Sequence, residues 1–349
     1  MKKLLNTLYV TTPNSYLSKD GTNVVVSSEG AEIFRIPIQN IEAICTFGYQ
    51  GASPGLMKLC VDNKVGLSFF TPNSQFIARI QGQISGNVFL RRIQCSWHKD
   101  SSQALHLSRL CISAKIFNSR VVLRRFVRDY SEKRDCSEVE YAADQLKRQV
   151  TKAQNAESLD SLRGIEGEAA SIYFKMFPHL ILNKDPMFQF SGRNRRPPLD
   201  AVNAMLSFGY SLLTSQIISA LEGSGLDSSI GFMHSLRPGR NSLALDLIEE
   251  LRAHIVDRFV ISLINNRQMD ASDFLIHTST IHDNYFPVLL TDGGRKKFLS
   301  SWQARKKAEI IHPFLNEKIQ LGLIPHVQSM LLARYLRGDL DDYPVYLYK

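Results

Sequence analysis

The sequence predicts an α+β chain of two domains, an N-terminal β-sandwich in residues 1–90 followed by an all-α domain in residues 91–349. Three observations carry that prediction. Short apolar or alternating runs, separated by glycines, fill the first part of the chain. Apolar spacing turns helical after Gly86. Helical patterns then continue to about Leu336, broken only by two long loops rich in Gly, Pro and Arg.

In the first part, Thr22 to Ser27 holds the β-prone run Val24-Val25-Val26. Ile33 to Ile38, Ile41 to Phe47 and Val65 to Phe70 read as further strands, punctuated by Gly21, Gly30, Gly51, Gly55, Gly66 and Pro72-Asn73. Pro54 to Asn63 reads as one short helix among them. The domain boundary is expected between Ser85 and Gln103. From Asn87 to Tyr141 the residues Leu105, Leu110, Ile112, Ile116 and Val121 recur at helical spacing. Arg120, Arg124, Arg125 and Arg128 share roughly one side, read as a solvated face in preference to a DNA track. Asp160 is expected to cap a helix beginning near Ser161. Asn183 to Leu199 and Glu222 to Arg240 are the two long loops.

Composition bounds the function. The chain has 349 residues, 44% of them apolar, enough for one large or two ordinary domains. No apolar run is expected to cross a bilayer, so no membrane partner is expected. The start, Met1 to Thr7, has two lysines but no apolar region or cleavage site and does not read as a signal peptide. Five scattered cysteines without a CxxC pair argue against a zinc ribbon or a disulfide scaffold, and their odd count fits a reducing, cytoplasmic location. The net charge of +9 and pI near 9.3 favour a polyanion, nucleic acid foremost, although a generic basic surface has the same charge. No P-loop, GxSxG or dinucleotide fingerprint supports nucleotide hydrolysis or acyl transfer.

Metal-capable residues recur in three separated stretches. Asp246 and Glu249, three apart, lie on one side of a helix whose apolar face is Leu243, Leu247, Ile248 and Leu251. Two carboxylates on one side repel, and a divalent cation removes that repulsion; taken alone, the pair is more simply an acidic helix surface. Glu166 lies between Gly164 and Gly167. Glycine weakens a helix by about 1 kcal/mol relative to alanine, so either something approaches this backbone closely or small residues pack against a neighbouring helix. His234 ends the run Ile230-Gly231-Phe232-Met233, where a lone histidine is more often a hydrogen-bonded core residue than a ligand. His254, His277, His282 and His312 have no acidic partners at ligand spacing. Carboxylates with one imidazole suit Mg²⁺ or Mn²⁺ better than structural zinc. On a basic chain, such an ion points to phosphodiester chemistry.

Gly-Ile-Glu-Gly (Gly164 to Gly167), Gly-Phe-Met-His (Gly231 to His234) and Ser-Leu-Ala-Leu-Asp-Leu-Ile-Glu-Glu-Leu-Arg (Ser242 to Arg252), in that order, resemble the CRISPR-associated integrase that forms the large subunit of the spacer-acquisition complex. QFIARIQGQISGNVFLRRIQ (Gln75 to Gln94), NRRPPLDAVNAMLSFGYSLL (Asn194 to Leu213) and LLARYLRGDLDDY (Leu331 to Tyr343) extend the resemblance over nearly the whole chain. Length and sequence style are most similar to the type I subtype C version. The chain departs from the family pattern at Ala253-His254, where many members continue with proline, and at Tyr343-Pro344-Val345-Tyr346.

The resemblance implies a β-sandwich used for homodimerisation and an all-α catalytic domain. It implies a metal-dependent DNA endonuclease and integrase of antiviral defence that joins short DNA fragments into CRISPR repeat DNA through 3′-OH transesterification. Glu166, His234 and Glu249 match the family's metal ligands, and Asp246 matches a nearby acidic position that assists in some members. The family's partners are double-stranded and branched DNA and a small ferredoxin-like subunit that bridges two dimers. Arg193, Arg195, Arg196, Arg237 and Arg240 are candidates for phosphate contacts, against a solvated loop for each. A branch-specific repair nuclease and a non-catalytic DNA scaffold are the alternatives.

Overall fold

The computed structural model describes residues 6–71, 76–80, 82, 88–194, 197–276 and 287–348. His277, His282, Arg195, Arg196, Pro72-Asn73 and part of the Gln75 to Gln94 stretch therefore lie outside the described residues. Two compact units emerge. One is drawn from Met1–Ser85, Ser272–Leu275 and Leu289–Ala308, the other from Gly86–Ala271, Ile276–Val288 and Glu309–Lys349. The contiguous pieces 1–90 and 91–349 differ from these spans, because residues 272–275 and 289–308 return to the first unit.

The first unit holds two main sheets. A mixed sheet of order β1-β5-β6-β7 comprises β1 (Thr7–Val10), β5 (Ala43–Phe47), β6 (Gly66–Phe70) and β7 (Phe76–Ile80), with β1–β5 and β5–β6 parallel and β6–β7 antiparallel. An antiparallel sheet comprises β2 (Ser15–Asp20), β3 (Asn23–Ser28) and β4 (Ala31–Pro37). Parallel strands need a crossover, and α1 (Pro54–Asp62) supplies it between β5 and β6. Ser53 caps α1, and Pro54 opens it, where a missing N–H costs nothing. Leu17, Val24, Val26, Ile38, Ile44, Leu56 and Leu67 form the core. The patterning predicts β3, β4, β5 and β6 but misses β1, β2 and β7, which are short or carry polar residues. Tyr16, Ile33 and Phe34 are exposed on the three-stranded sheet. The returning α10 (Asp292–Lys306) belongs here because Trp302 is fully buried, Arg295 lies over the Phe47 ring at 5.5 Å, and the Lys306 ammonium donates to Thr7 at 3.1 Å.

The second unit is mainly helical: α2 (Val88–Lys99), α3 (Ser101–Tyr130), α4 (Ser137–Gln154), α5 (Leu159–Lys175), α6 (Phe177–Leu180), α7 (Ala201–Gly223), α8 (Ser242–Arg252), α9 (Arg258–Asn265) and α11 (Ile324–Leu336). Three-residue strands β10 (Glu309–Ile311) and β11 (Lys318–Gln320) form a small sheet here, and β8 (Phe274–Ile276) with β9 (Val288–Leu290), most of whose residues belong to the first unit, form another; helical spacing predicts neither. The 30-residue α3, capped by Asp100, packs on α4, α5 and α8. Ser158 caps α5, where Asp160 was expected. Its hydroxyl accepts from Ser161 N at 3.1 Å, while Asp160 already lies in the first turn and pairs with Arg163.

One further expectation is corrected, and the solvated arginine face on α3 holds. Among the described residues, α7 is long and apolar enough by composition to cross a membrane, although no such run was expected. Its most apolar window is 61% buried, so the same apolarity serves a core helix between α8 and α11. The arginine face of α3 is ion-paired at the surface, with Arg124 on Glu140 at 2.9 Å and Arg128 on Asp129 at 3.0 Å.

Candidate active site

α8 brings an unusual number of charges indoors. Asp246, Glu249, Glu250 and Arg252 are 4%, 7%, 0% and 7% exposed, so the simpler reading of an acidic helix surface does not hold. Buried charges need partners, and each has found a different set.

Asp246 faces the loop before α8. Its carboxylate accepts the amides of Phe232 at 2.5 Å, Met233 at 3.1 Å and His234 at 3.0 Å, and bonds His234 Nδ1 at 2.7 Å. Phe232 and Met233 bury their side chains and anchor this loop. Gly231 is required there. A Cβ would lie 2.7 Å from Asp246 Oδ2 and 2.7 Å from the Ser242 carbonyl carbon. Two helices hold the loop from outside. From α2, Gln94 donates to Asp227 O and Ile230 O, both at 2.8 Å, and His98 Nδ1 meets Gly231 O at 2.6 Å. From α5, Arg163 donates to Met233 O at 2.8 Å. A carboxylate fixing one ring nitrogen sets the tautomer and aims the other, here Nε2, outward.

Glu249 and Glu166 converge on one atom. The Lys115 ammonium, from the middle of α3, bonds Glu249 Oε2 at 2.6 Å and also Glu166 Oε1. Arg252 adds a second cation to Glu249 at 3.3 Å, its guanidinium 4.2 Å above the Tyr210 ring. Burial opposes the charge on Glu249, but Lys115 and Arg252, with His234 contributing, outweigh it and hold the carboxyl down at about 2. Glu166 is half-buried in α5, and Glu168 points away to Lys152 at 3.9 Å. Open space surrounds Gly164 and Gly167, where an added Cβ would meet nothing within 4 Å. Neither glycine is needed to pack a neighbouring helix.

Glu250, one position round, belongs to a separate network. Tyr343 OH donates to it at 2.5 Å, Tyr346 N at 2.6 Å and Gln328 Nε2 at 3.2 Å. Burial nonetheless pushes this carboxyl up to about 7. Asn118 ties the same segment down, donating to Glu250 O at 2.7 Å and Tyr346 O at 2.8 Å while accepting from Tyr348 N at 2.8 Å. The Tyr348 ring stacks 3.6 Å from His254, inside the π-helical turn Ala253–Asp257 that continues α8 into α9.

The donor types fit a hard divalent cation. Two carboxylate oxygens already share one positive atom, and Asp246 leaves His234 Nε2 as the remaining ring nitrogen. Among the described residues, no three His, Cys, Asp or Glu side chains gather as a cation site. Lys115 supplies the positive charge shared by Glu166 and Glu249. Of the candidate arginines, Arg193 is turned inward, donating to Asn203 at 2.6 Å and Ser207 at 3.1 Å. Arg237 and Arg240 flank a turn in which Arg240 N donates to Arg237 O at 3.0 Å, with Pro238 before Gly239 at φ +74. Sequence reasoning missed Lys115, Arg252, Gln94, His98 and Arg163. The available signal for Lys115 was its place on the apolar stripe with Ile112, Ile116 and Ser119, where an unpaired lysine does not belong.

A two-unit chain with β-sheets before a helical unit, and with these acidic and histidine side chains at its centre, has relatives. A family model described as CRISPR associated protein Cas1 matches residues 8–304. The chain is 46% identical over 349 residues to CRISPR-associated endonuclease Cas1 1 of Chlorobaculum tepidum, covering all of both chains. It is also 46% identical over 353 residues to CRISPR-associated endonuclease Cas1 2 of Rhodospirillum rubrum, again covering all of both. Among solved structures, a CAS1 protein from Thermotoga maritima superposes with TM-score 0.80 at 23% identity, covering 99% of this chain and 100% of that one. A casposase bound to integration product superposes with TM-score 0.82 at 23% identity, covering 98% of this chain and 94% of that one. The chain belongs to the Cas1 family.

Proposed function

We propose that this protein is a divalent-metal-dependent DNA endonuclease and integrase that joins short DNA fragments to CRISPR repeat DNA during spacer acquisition in antiviral defence. The observation that carries the proposal is the convergence of Glu166 and Glu249 on a single positive atom, beside a histidine held by Asp246. Glu166, His234 and Glu249 would hold Mg²⁺ or Mn²⁺. Such an ion, when bound, neutralises phosphate charge and stabilises the displaced oxygen. Asp246 is the positioning residue, since four bonds to the loop and the His234 ring occupy its oxygens. Arg252 and Tyr210 fix the Glu249 side chain.

In this reading the 3′-hydroxyl of an incoming fragment attacks a repeat phosphodiester. One phosphodiester forms as another breaks, so the exchange needs no ATP. Water in place of the hydroxyl gives a nick. Arg237 and Arg240, exposed and half-buried on their turn, are our candidates for holding phosphates, as are Arg195 and Arg196, whereas Arg193 is committed to Asn203 and Ser207. Relatives named CRISPR-associated endonuclease and a fold shared with a casposase on an integration product support the chemistry. Solved structures of a Cas6-RT-Cas1–Cas2 complex and of a TtCas1–DNA complex support DNA and a second Cas protein as partners, and we take that second protein to be the small ferredoxin-like subunit. The exposed Tyr16, Ile33 and Phe34 support homodimerisation through the first unit. The five free cysteines fit a cytoplasmic location. Length and sequence style favour the type I subtype C version, for which a neighbouring repeat array of that type is the check.

The test is a half-site integration assay with a labelled 3′-OH oligonucleotide, with and without the small subunit, in Mn²⁺ and in Mg²⁺. Joined product supports the proposal. Cut product alone reassigns the chain to repair, and binding without cutting or joining in either metal reduces it to a scaffold.

A further inference from the structure

Lys115 is in an unusual place for a lysine. It lies on the buried stripe of α3, its side chain 9% exposed, and its ammonium bonds both Glu166 and Glu249. Those two carboxylates come from different helices, α5 and α8. Without a cation between them they would repel at close range in a partly dehydrated setting. The ammonium therefore does in the metal-free protein what a divalent ion would do in the loaded one. Both cannot occupy one point.

We propose that Lys115 is a built-in placeholder cation. It keeps the α5 and α8 carboxylates together before metal arrives, and it must be displaced for metal to bind. This inference rests on the assignment of Glu166 and Glu249 as metal ligands. The lysine stem has four methylenes, so the ammonium moves by rotation about side-chain bonds while α3 stays fixed. It also has somewhere to go. Lys115 lines a cleft with Ser119, Asp257 and Arg252, so the displaced ammonium keeps the Ser119 hydroxyl and the Asp257 carboxyl as polar neighbours, with the Asp257 oxygens offsetting the Arg252 charge. Exchange of a monovalent for a divalent charge weakens the site's affinity for free metal. Metal then enters most readily together with a substrate phosphate that supplies further negative charge.

The experiment uses the full chain, wild type and Lys115→Met, with the manganese ion alone as probe. Free Mn²⁺ is counted by electron paramagnetic resonance during titration, and melting is followed in chelator and in Mn²⁺. The expected result is about tenfold tighter Mn²⁺ binding by Lys115→Met. Its melting temperature should fall in chelator and recover in Mn²⁺. Equal or weaker Mn²⁺ binding by a folded Lys115→Met overturns the placeholder role while leaving the metal site standing. No Mn²⁺ binding by either protein removes the metal site itself. If Lys115→Met fails to fold, Lys115→Met with Glu166→Gln relieves the repulsion. Recovery of folding in that double variant supports the inference, and continued failure to fold overturns it.

Discussion

Replacing Glu250 with glutamine should flatten the dependence of stability on pH near neutrality. The wild-type carboxyl is fully buried and raised from its ordinary 4.5 to about 7, chiefly by burial. The folded protein therefore keeps this proton at pH values where the unfolded chain has lost it. Stability from this group is fully present below the unfolded pKa and is lost as pH rises through the folded one. At about 1.4 kcal/mol per pKa unit, the loss across the window is roughly 3 kcal/mol. Glu249 does not interfere. Its carboxyl is depressed to about 2, so its stabilisation is lost only as pH falls below the ordinary carboxylate range. The assay is urea denaturation followed by far-UV circular dichroism, from about pH 5 to about pH 8.5. Glutamine keeps the shape but has an NH₂ facing the donors Tyr343 and Gln328, so a uniform drop of about 1–3 kcal/mol is expected at every pH. What matters is the difference in slope. If wild type and Glu250→Gln lose stability in parallel across the window, burial does not hold this proton and the reasoning is wrong.

Glu166→Ala and His234→Ala should fold and bind DNA yet lose strand transfer; matched loss of folding would make them packing residues instead. Gly231→Ala should destabilise by at least about 1–3 kcal/mol, since its methyl would collide with the Asp246 carboxylate and Ser242 backbone. Gly167→Ala, in open space on a helix, should instead stabilise by about 0.5–1 kcal/mol. Melting temperatures of this pair moving in the same direction would contradict the geometry. Removing Arg237 and Arg240 together should lower the slope of log DNA affinity against log salt by about 2, and an unchanged slope would take both off the phosphates.

The order of motifs made Glu166, His234 and Glu249 legible as candidates together, although each taken alone has an equally simple or simpler reading as surface, packing or core. Their supports were not legible. Asp246 reads as a second carboxylate on the Glu249 side, yet the glycine at 231 lets the loop backbone come close enough to occupy it. Glu250 reads as one more acidic residue, because its partners at 328, 343 and 346 are far away in sequence. Lys115 was hidden among the basic residues of α3, and only the packing of α5 and α8 gives it two carboxylates. Strand prediction worked where Val and Ile dominate, as in β3, and failed in β2, where Ser15, Ser18 and Lys19 dilute the alternation. The return of α10 to the first unit has no local signal, since it depends on Trp302 and Arg295 finding partners far back in the chain.

Asn118 joins two things that are far apart along the chain, the carbonyl of Glu250 and the backbone of Tyr346 and Tyr348. Peeling Tyr348 from His254 would strain those three bonds in turn. The next peptide unit along is that of Glu249. A tug on residues 343–348 would thus reach Glu249 as a small backbone shift, much as pressure on a latch loosens the bolt behind it.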